Sequence, residues 1–123
     1  MYLTEVDTLR YPSHTNWVCS NIDPNHKRYI SPISYKIKPN CVPFKYLIKI
    51  IKQIKGSKIL LIEDNYMHVT FTSKIFKIVE DIEFLYDDDF KLIYISAISK
   101  KNKYIKSTRK RIEYIREKFL LEL

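Results

Sequence analysis

Glycine is nearly absent from this sequence, and its scarcity excludes one common kind of ligand site. Only one Gly occurs among 123 residues. Glycine-rich loops that bind phosphate need backbone positions without a Cβ, because the loop amides must approach the ligand closely. A phosphate loop of this kind is therefore excluded.

Cysteine is also scarce. Cys19 and Cys41 are the only two cysteines, and their spacing does not form a C-x-x-C motif. A structural zinc site needs four ligands, and a disulfide persists only in an oxidising compartment. We expect no metal site and no cofactor, and the redox state of both thiols stays open. Cys19 is expected to be a small buried thiol rather than a nucleophile.

Long apolar runs are missing as well. No segment approaches the roughly 18 apolar residues of a membrane span, and the N-terminal segment lacks the apolar core of a signal peptide. We therefore expect a cytoplasmic protein without a transmembrane segment. Residues 1–15 are polar, contain Pro12 and show no periodicity, which predicts a flexible N-terminal arm. Residues 16–123 are predicted to form a single domain.

Apolar and basic residues dominate what is present. Hydrophobic residues make up 46% of the chain and aromatic residues 14%, which is typical of a packed globular domain. The 22 Lys and Arg residues outnumber the 14 Asp and Glu residues, for a net charge of +8. Such an excess can serve nucleic acid, an anionic membrane or an acidic partner. It can also be a solvated surface, which is the interpretation we favour.

Residues 64–84 carry the strongest strand pattern in the chain. Apolar side chains alternate with polar ones at Met67, Val69 and Phe71. A period of two, rich in β-branched and aromatic residues, indicates a strand with one buried face. A second strand follows, in which Ile82 and Phe84 point one way and Glu83 points the other. The segment between the strands is predicted to add to the core through Ile75, Phe76, Ile78 and Val79.

The same stretch reproduces a run of the form D-Y-x-H-x-x-F-x-S-x-x-F-x-x-V-D-D-V-E-F. The matching residues are Asp64, Tyr66, His68, Phe71, Ser73, Phe76, Val79, Asp81, Glu83 and Phe84. In this run the chain resembles the domain of unknown function 1499 family. An upstream family pattern is matched by Asn16, Val18, Ser20, Asp23, Pro24, Ile30 and Pro32. The resemblance implies a fold but no reaction, because the biochemical role of the family is itself unassigned.

Two departures from the family pattern bear on function. Trp17 stands where many members have cysteine. The polar run that members carry before the last helix is replaced here by Ile95–Ser99 and then Lys101, Lys103, Tyr104 and Thr108. A ligand site common to the family is therefore expected to be only partly preserved in this chain.

Periodicity along the chain predicts the order β-α-β-β-β-β-α. Strands are expected at 31–38, 58–63, 66–72, 81–86 and 91–99. The first helix is expected to be capped by Asn40, to carry Pro43 in its first turn and to close at Gly56, and the second to follow the basic segment with Ile112, Ile115 and Phe119 inside. Tight turns between sequential strands favour an antiparallel sheet. The prediction is a single α+β domain, a five-stranded antiparallel sheet with two helices packed on one face.

The first candidate site combines His68 with Asp64, Asp81 and Glu83. Histidine and carboxylates on neighbouring strands can bind a metal or act as acid and base. Alternation places His68 and Glu83 on the polar face, where we favour a cross-strand polar pair. The other candidate polar residues are Tyr66, Ser73, Asn16, Ser20 and Asp23.

The second candidate is a basic patch within residues 100–111. It consists of Lys100, Lys101, Lys103, Lys106, Arg109, Lys110 and Arg111. Binding to phosphates through this patch would depend steeply on salt. No DNA- or RNA-binding motif accompanies it, so a nucleic acid or an anionic membrane is the less favoured partner.

Together these observations predict a non-catalytic binding or accessory domain. Its expected partner is a protein surface or a small ligand held between the sheet and the helices. The first alternative is an enzyme that uses His68 with Asp64, Asp81 or Glu83 as acid–base groups. The second is a domain that binds an anionic surface through residues 100–111.

Overall fold

The computed structural model describes residues 16–36, 42–75, 77–99 and 105–122. Its elements are β1 (Asn16–Cys19), β2 (Ile33–Ser34), α1 (Pro43–Gln53), β3 (Ser57–Ile62), β4 (Tyr66–Thr72), β5 (Val79–Asp87), β6 (Leu92–Ser99) and α2 (Ile105–Glu122). The strands form one sheet in the order β1-β6-β5-β4-β3, and β2 also pairs with β6. All of these pairings are antiparallel. The predicted single α+β domain with an antiparallel sheet and two helices is confirmed.

The sheet has one strand more than the sequence predicts. Residues of β1 run along β6, from Asn16 opposite Ser99 to Cys19 opposite Ser96. The last three residues of β1 are all buried, because both faces of this strand are covered, so the sequence shows no alternation there. The strand predicted at 31–38 is shorter than expected and reduces to Ile33–Ser34 among the described residues.

Side-chain alternation in the central strands separates two faces, as predicted. Buried and half-buried residues alternate strictly along β4. The main core joins the inward side chains of β4, β5 and β6 to both helices: Met67, Val69, Phe71, Ile82, Phe84, Ile93, Ile95, Phe44, Leu47, Ile51, Ile112, Ile115 and Phe119. These side chains fill the space between the sheet and the helices. The sequence analysis expects a small ligand between the sheet and the helices, and a ligand could bind there only by displacing these side chains.

Helix α1 carries Pro43 in its first turn as predicted, whereas helix α2 begins earlier than predicted. Helix α1 starts at Pro43, and the residue before it, Val42, makes no side-chain cap. The predicted cap, Asn40, lies outside the described residues. Helix α2 starts at Ile105, inside the segment expected to lack hydrophobic periodicity. The buried side of α2 includes Thr108 as well as Ile112, Ile115 and Phe119. Because Thr108 is polar, the hydrophobic pattern of the sequence does not reveal this first part of the helix.

The apolar segment between β4 and β5 contributes less to the core than expected. Ile75 is 81% exposed, so the prediction that it belongs to the core is wrong. Ile78 is buried, whereas half-buried Val79 lies opposite Thr72, on the face of the sheet away from the main core. The chain makes a tight turn between residues 73 and 78. Several predicted features lie outside the described residues: Phe76, the arm at residues 1–15, Cys41 and residues 100–104.

Neither described helix is both long enough and apolar enough to cross a membrane.

Replacing Gly56 by alanine should destabilise the fold. Gly56 has φ of +85°, and an added Cβ would lie 2.5 Å from the Thr72 carbonyl oxygen. The left-handed backbone and the clash together should lower the free energy of unfolding by about 1–3 kcal/mol. Urea unfolding measures the change, with Lys55→Ala as the exposed neighbouring control. Equal stability of Gly56→Ala and Lys55→Ala would contradict the close approach of the two chains.

Candidate functional site

The face of the sheet opposite the helices, here called the second face, carries four of the nine predicted polar site residues: Tyr66, His68, Asp81 and Glu83. It is formed by Tyr66, His68, Thr70, Asp81, Glu83, Leu85, Tyr94, Ser96, Ile98, Trp17 and Cys19. A second, smaller hydrophobic cluster on this face contains no helical residue. The second face therefore lies outside the main core.

Residues 20–30 cover the β1 end of the second face. The His26 and Trp17 rings stack with centroids 6.0 Å apart. The Arg28 guanidinium lies 4.9 Å from the centroid of the Trp17 ring, and Ile22 packs on the same cluster. The β4 side of the face keeps partly exposed polar groups, and these make up the candidate site.

His68 and Asp81 form the most accessible polar pair on the second face. Nε2 of His68 lies 3.0 Å from Oδ1 of Asp81, and the two side chains are 28% and 20% exposed. A carboxylate can only accept a hydrogen bond, so Nε2 is the donor. The pair fixes the plane of the imidazole ring and directs Nδ1 away from Asp81. Among the described residues, Nδ1 makes no hydrogen bond.

Glu83 lies directly opposite His68 in the strand register but is almost fully buried. The Tyr66 hydroxyl donates a hydrogen bond to Oε2 of Glu83. A buried carboxylate is costly unless it is hydrogen-bonded, so this contact stabilises Glu83 on the sheet. The predicted cross-strand placement of His68 and Glu83 is confirmed, whereas the hydrogen bond of His68 is with Asp81.

Cys19 belongs to the same row of the sheet but is poorly suited to act as a nucleophile. The register runs from His68 to Glu83, then to Ser96 and Cys19. Three strand spacings of about 4.8 Å separate the backbones of His68 and Cys19 by roughly 14 Å, too far for a nucleophile–base pair. Burial raises the pKa of the Cys19 thiol, against hydrogen bonds from Asn21 and Ser96 that lower it. The thiol is therefore protonated near neutral pH.

Asp64 does not join His68. It lies in the turn between β3 and β4 and lines a cavity of about 470 Å³ with Asn65 and the segment 85–89. In that region the Tyr35 and Tyr86 hydroxyls both donate to Oδ1 of Asp88. These hydrogen bonds lower the pKa of the Asp88 carboxyl, the one from Tyr86 most strongly.

Three of the remaining polar candidates, Ser20, Ser73 and Asp23, make hydrogen bonds to the backbone. The Ser20 hydroxyl accepts a hydrogen bond from the Ile95 amide at 2.7 Å and donates one to the Ile95 carbonyl at 3.2 Å. Oγ of Ser73 accepts from the Ile78 amide at 2.9 Å. Oδ1 of Asp23 accepts from the Asn25 amide at 3.0 Å. Asn16 lies opposite Ser99, on the side of the sheet that faces the helices.

The two arginines of the predicted basic patch, Arg109 and Arg111, form hydrogen bonds with other residues of the protein. Arg109 donates to the carbonyls of Tyr29 and Lys27 at 3.1 and 2.7 Å. Arg116, which was not predicted to belong to a site, donates to the carbonyls of Pro32 and Ser31, both at 2.7 Å. Two arginines of α2 thus hold residues 27–32 in place. Lys106 and Lys110 are exposed, and Lys100, Lys101 and Lys103 lie outside the described residues.

One buried polar cluster was missed by the sequence analysis. Glu80 is buried on the helix side of the sheet, where Oε1 accepts from Nε of Arg111 at 2.7 Å and Oε2 accepts from the Thr108 hydroxyl. The Arg111 guanidinium also lies 4.7 Å from the centroid of the Phe71 ring. Glu80 has the same parity as the inward residues Ile82 and Phe84, and this parity was the signal that could have revealed it.

Across the described ranges, no group of three or more His, Cys, Asp and Glu residues is arranged to hold a metal ion. The chemistry available on the second face is therefore that of an oriented imidazole beside a carboxylate, flanked by hydroxyl groups.

Comparison with known proteins adds a family assignment. The sequence model described as "Protein of unknown function (DUF1499)" matches residues 9–119, nearly the whole chain. No curated protein and no solved structure matches the chain.

The Cys19 thiol should react slowly with alkylating reagents in the folded protein. In a Cys41→Ser variant, where Cys19 is the only thiol, alkylation near pH 8 should be at least roughly 100-fold slower than in unfolding urea. Because the pKa of Cys19 is raised in the folded state, the unfolded thiol ionises first. The thiol's contribution to stability should therefore be present below about pH 8.5 and be lost as the pH rises further. Equal alkylation rates in both states would contradict the burial of Cys19.

Proposed function

We infer that this chain, which belongs to the DUF1499 family of proteins of unknown function, is a non-catalytic binding domain for a small polar ligand. The ligand contacts the second face at His68 and Asp81. The observation that carries this proposal is the partly exposed pair itself, with Nε2 of His68 3.0 Å from Oδ1 of Asp81. Of the two partners that the sequence suggests, a small ligand fits this pair better than a protein surface does.

Pre-organisation of the pair supports binding. Asp81 orients the imidazole, so a ligand does not have to restrict a mobile side chain when it binds. Nδ1 of His68 provides a hydrogen-bonding atom at a place that is still reached by solvent. Beside it, Tyr66 and Glu83 hold each other in position and give the site a fixed wall.

An enzyme that uses His68 as a base is the second candidate. The specific observation in its favour is the same 3.0 Å contact, because a carboxylate that orients a histidine is common in acid–base catalysis. Of the carboxylates considered, only Asp81 contacts His68: Asp64 lines another cavity and Glu83 accepts from Tyr66. His68 and Asp81 are therefore the acid–base groups of such an enzyme. Its nucleophile would have to be water or part of the substrate.

Docking on an anionic surface through residues 100–111 gains less support. Arg109 and Arg111, the two arginines of that segment, are bonded to backbone carbonyls and to Glu80. Their charges are thereby directed toward the protein itself, which leaves the lysines to make such a surface.

Replacing His68 by asparagine should remove the ligand without unfolding the domain. Native mass spectrometry of gently purified wild-type protein should show extra mass that disappears on denaturation, and His68→Asn should show the bare chain. Because the His68–Asp81 pair is partly exposed, its loss should change the free energy of unfolding by less than about 1 kcal/mol.

The exposed α1 variant Lys49→Gln is the control and should keep the extra mass. A bare mass for the wild type, or the same extra mass in His68→Asn, would contradict a ligand at this pair. A loss of several kcal/mol of stability in His68→Asn would instead favour a purely structural role. Loss of a catalytic activity at unchanged stability would support the enzyme.

A further inference from the structure

A basic cavity at the end of β4 is separate from the site proposed above. Its volume is about 510 Å³, and its cationic lining consists of Lys55, Lys74, Lys77 and Arg111. We propose that this cavity binds a small ligand that carries phosphate groups. No residue of the His68–Asp81 pair belongs to its lining.

The positive charge of the cavity is largely uncompensated. In the part of the chain that the structure describes, Lys55, Lys74 and Lys77 have no carboxylate within ion-pair distance. Nε of Arg111 donates a hydrogen bond to Glu80, and the two Nη groups of Arg111 make no hydrogen bond to a described residue. One carboxylate therefore faces four cations, which gives the cavity a strong attraction for an anion.

The turn that carries two of the lysines is held rigidly. The Ser73 amide donates to the Ile78 carbonyl at 2.9 Å, and the Lys77 amide donates to the Ser73 carbonyl at 3.2 Å. Oγ of Ser73 accepts from the Ile78 amide at 2.9 Å. Lys77 adopts a positive φ of 53° within this turn. The backbones of Lys74 and Lys77 are thus fixed before any ligand arrives.

The other two cations are anchored as well. The Thr72 amide donates to the Gly56 carbonyl at 3.0 Å, which ties the residue after Lys55 to the end of β4. Glu80 and the ring of Phe71 hold the Arg111 guanidinium. Because the backbone around the lysines and the Arg111 guanidinium are held in place, binding of an anion has to restrict only the lysine side chains, and no glycine-rich loop is needed.

Size and charge favour a small phosphorylated ligand over other anions. A volume of about 510 Å³ lies within the range of small-molecule pockets and is far smaller than an extended nucleic-acid groove. A single carboxylate would neutralise only one of the four cations. Phosphate presents several oxygens to the planar guanidinium fork and to the lysine ammonium groups at once.

The test is isothermal titration calorimetry with inorganic pyrophosphate as the probe. Wild-type protein should bind it at low salt, and the double variant Lys74→Gln/Lys77→Gln should bind at least roughly tenfold more weakly, because two phosphate contacts are lost. Both side chains are exposed, so the variant should fold as the wild type does. The matched control is Lys45→Gln/Lys49→Gln on the exposed side of α1, which removes the same charge elsewhere and should leave the affinity unchanged.

Two further probes identify the source of the phosphate. Sedimentation with vesicles that contain a phosphoinositide, reversed by pyrophosphate, would support the proposal with a lipid headgroup as the ligand. Binding of pyrophosphate without vesicle binding would support a soluble ligand. Absence of pyrophosphate binding at millimolar concentration, or an equal loss in the α1 control, would overturn the proposal. So would binding of single-stranded RNA that pyrophosphate does not displace.

Discussion

The alternation of side chains along β4 and β5 is the constraint on which the rest of the structure depends. A slip of β4 by one residue against β5 would carry Phe71 out of the core and bring His68 into it, while the side chains of β5 kept their faces. Burial of large apolar groups on one side specifies the register strongly, and the register in turn places His68, Asp81 and Glu83 together on the other side. The packing that stabilises the fold thereby positions a polar face that contributes little to the main core.

The basic residues of this chain fall into two groups. Some make contacts that stabilise the fold, and others are accessible to a ligand. Arg109 and Arg116 hold residues 27–32 against α2 through backbone carbonyls, and Arg111 compensates buried Glu80. The planar guanidinium suits these multiple contacts, whereas the lysines of the described ranges are exposed or half-buried. A high net charge alone therefore does not identify a basic interface. What distinguishes the cavity near Lys74 is that four basic residues line one half-open space, and that among the described residues only Arg111 of the four has a carboxylate partner, Glu80.

The fold could be predicted from the sequence largely because β4, β5 and β6 obey simple alternation, and the same parity predicts His68 opposite Glu83. Elements that depend on tertiary contacts could not be predicted in this way. Strand β1 is buried on both faces and has no alternating pattern, and the first turns of α2 face inward through the polar residue Thr108. Ile75 looks like a core residue, but the turn it belongs to directs it into solvent. The hydrogen bond between His68 and Asp81 lies on a diagonal of the sheet, and the cavity combines the turn at residues 73–78 with Lys55 and Arg111 from other segments, so neither follows from spacing alone.

A pair of mirrored substitutions in β4 tests the separation of the two faces most directly. Val69→Thr and Thr70→Val exchange the same two side chains at adjacent positions, one buried in the core and the other on the second face. The measurement is the free energy of unfolding of each variant in urea. Val69→Thr should lose about 1–3 kcal/mol, because it buries a hydroxyl among apolar groups. Thr70→Val should stay within about 0.5 kcal/mol of the wild type. Equal losses in the two variants would show that both faces carry the fold and would contradict the separation proposed for this domain.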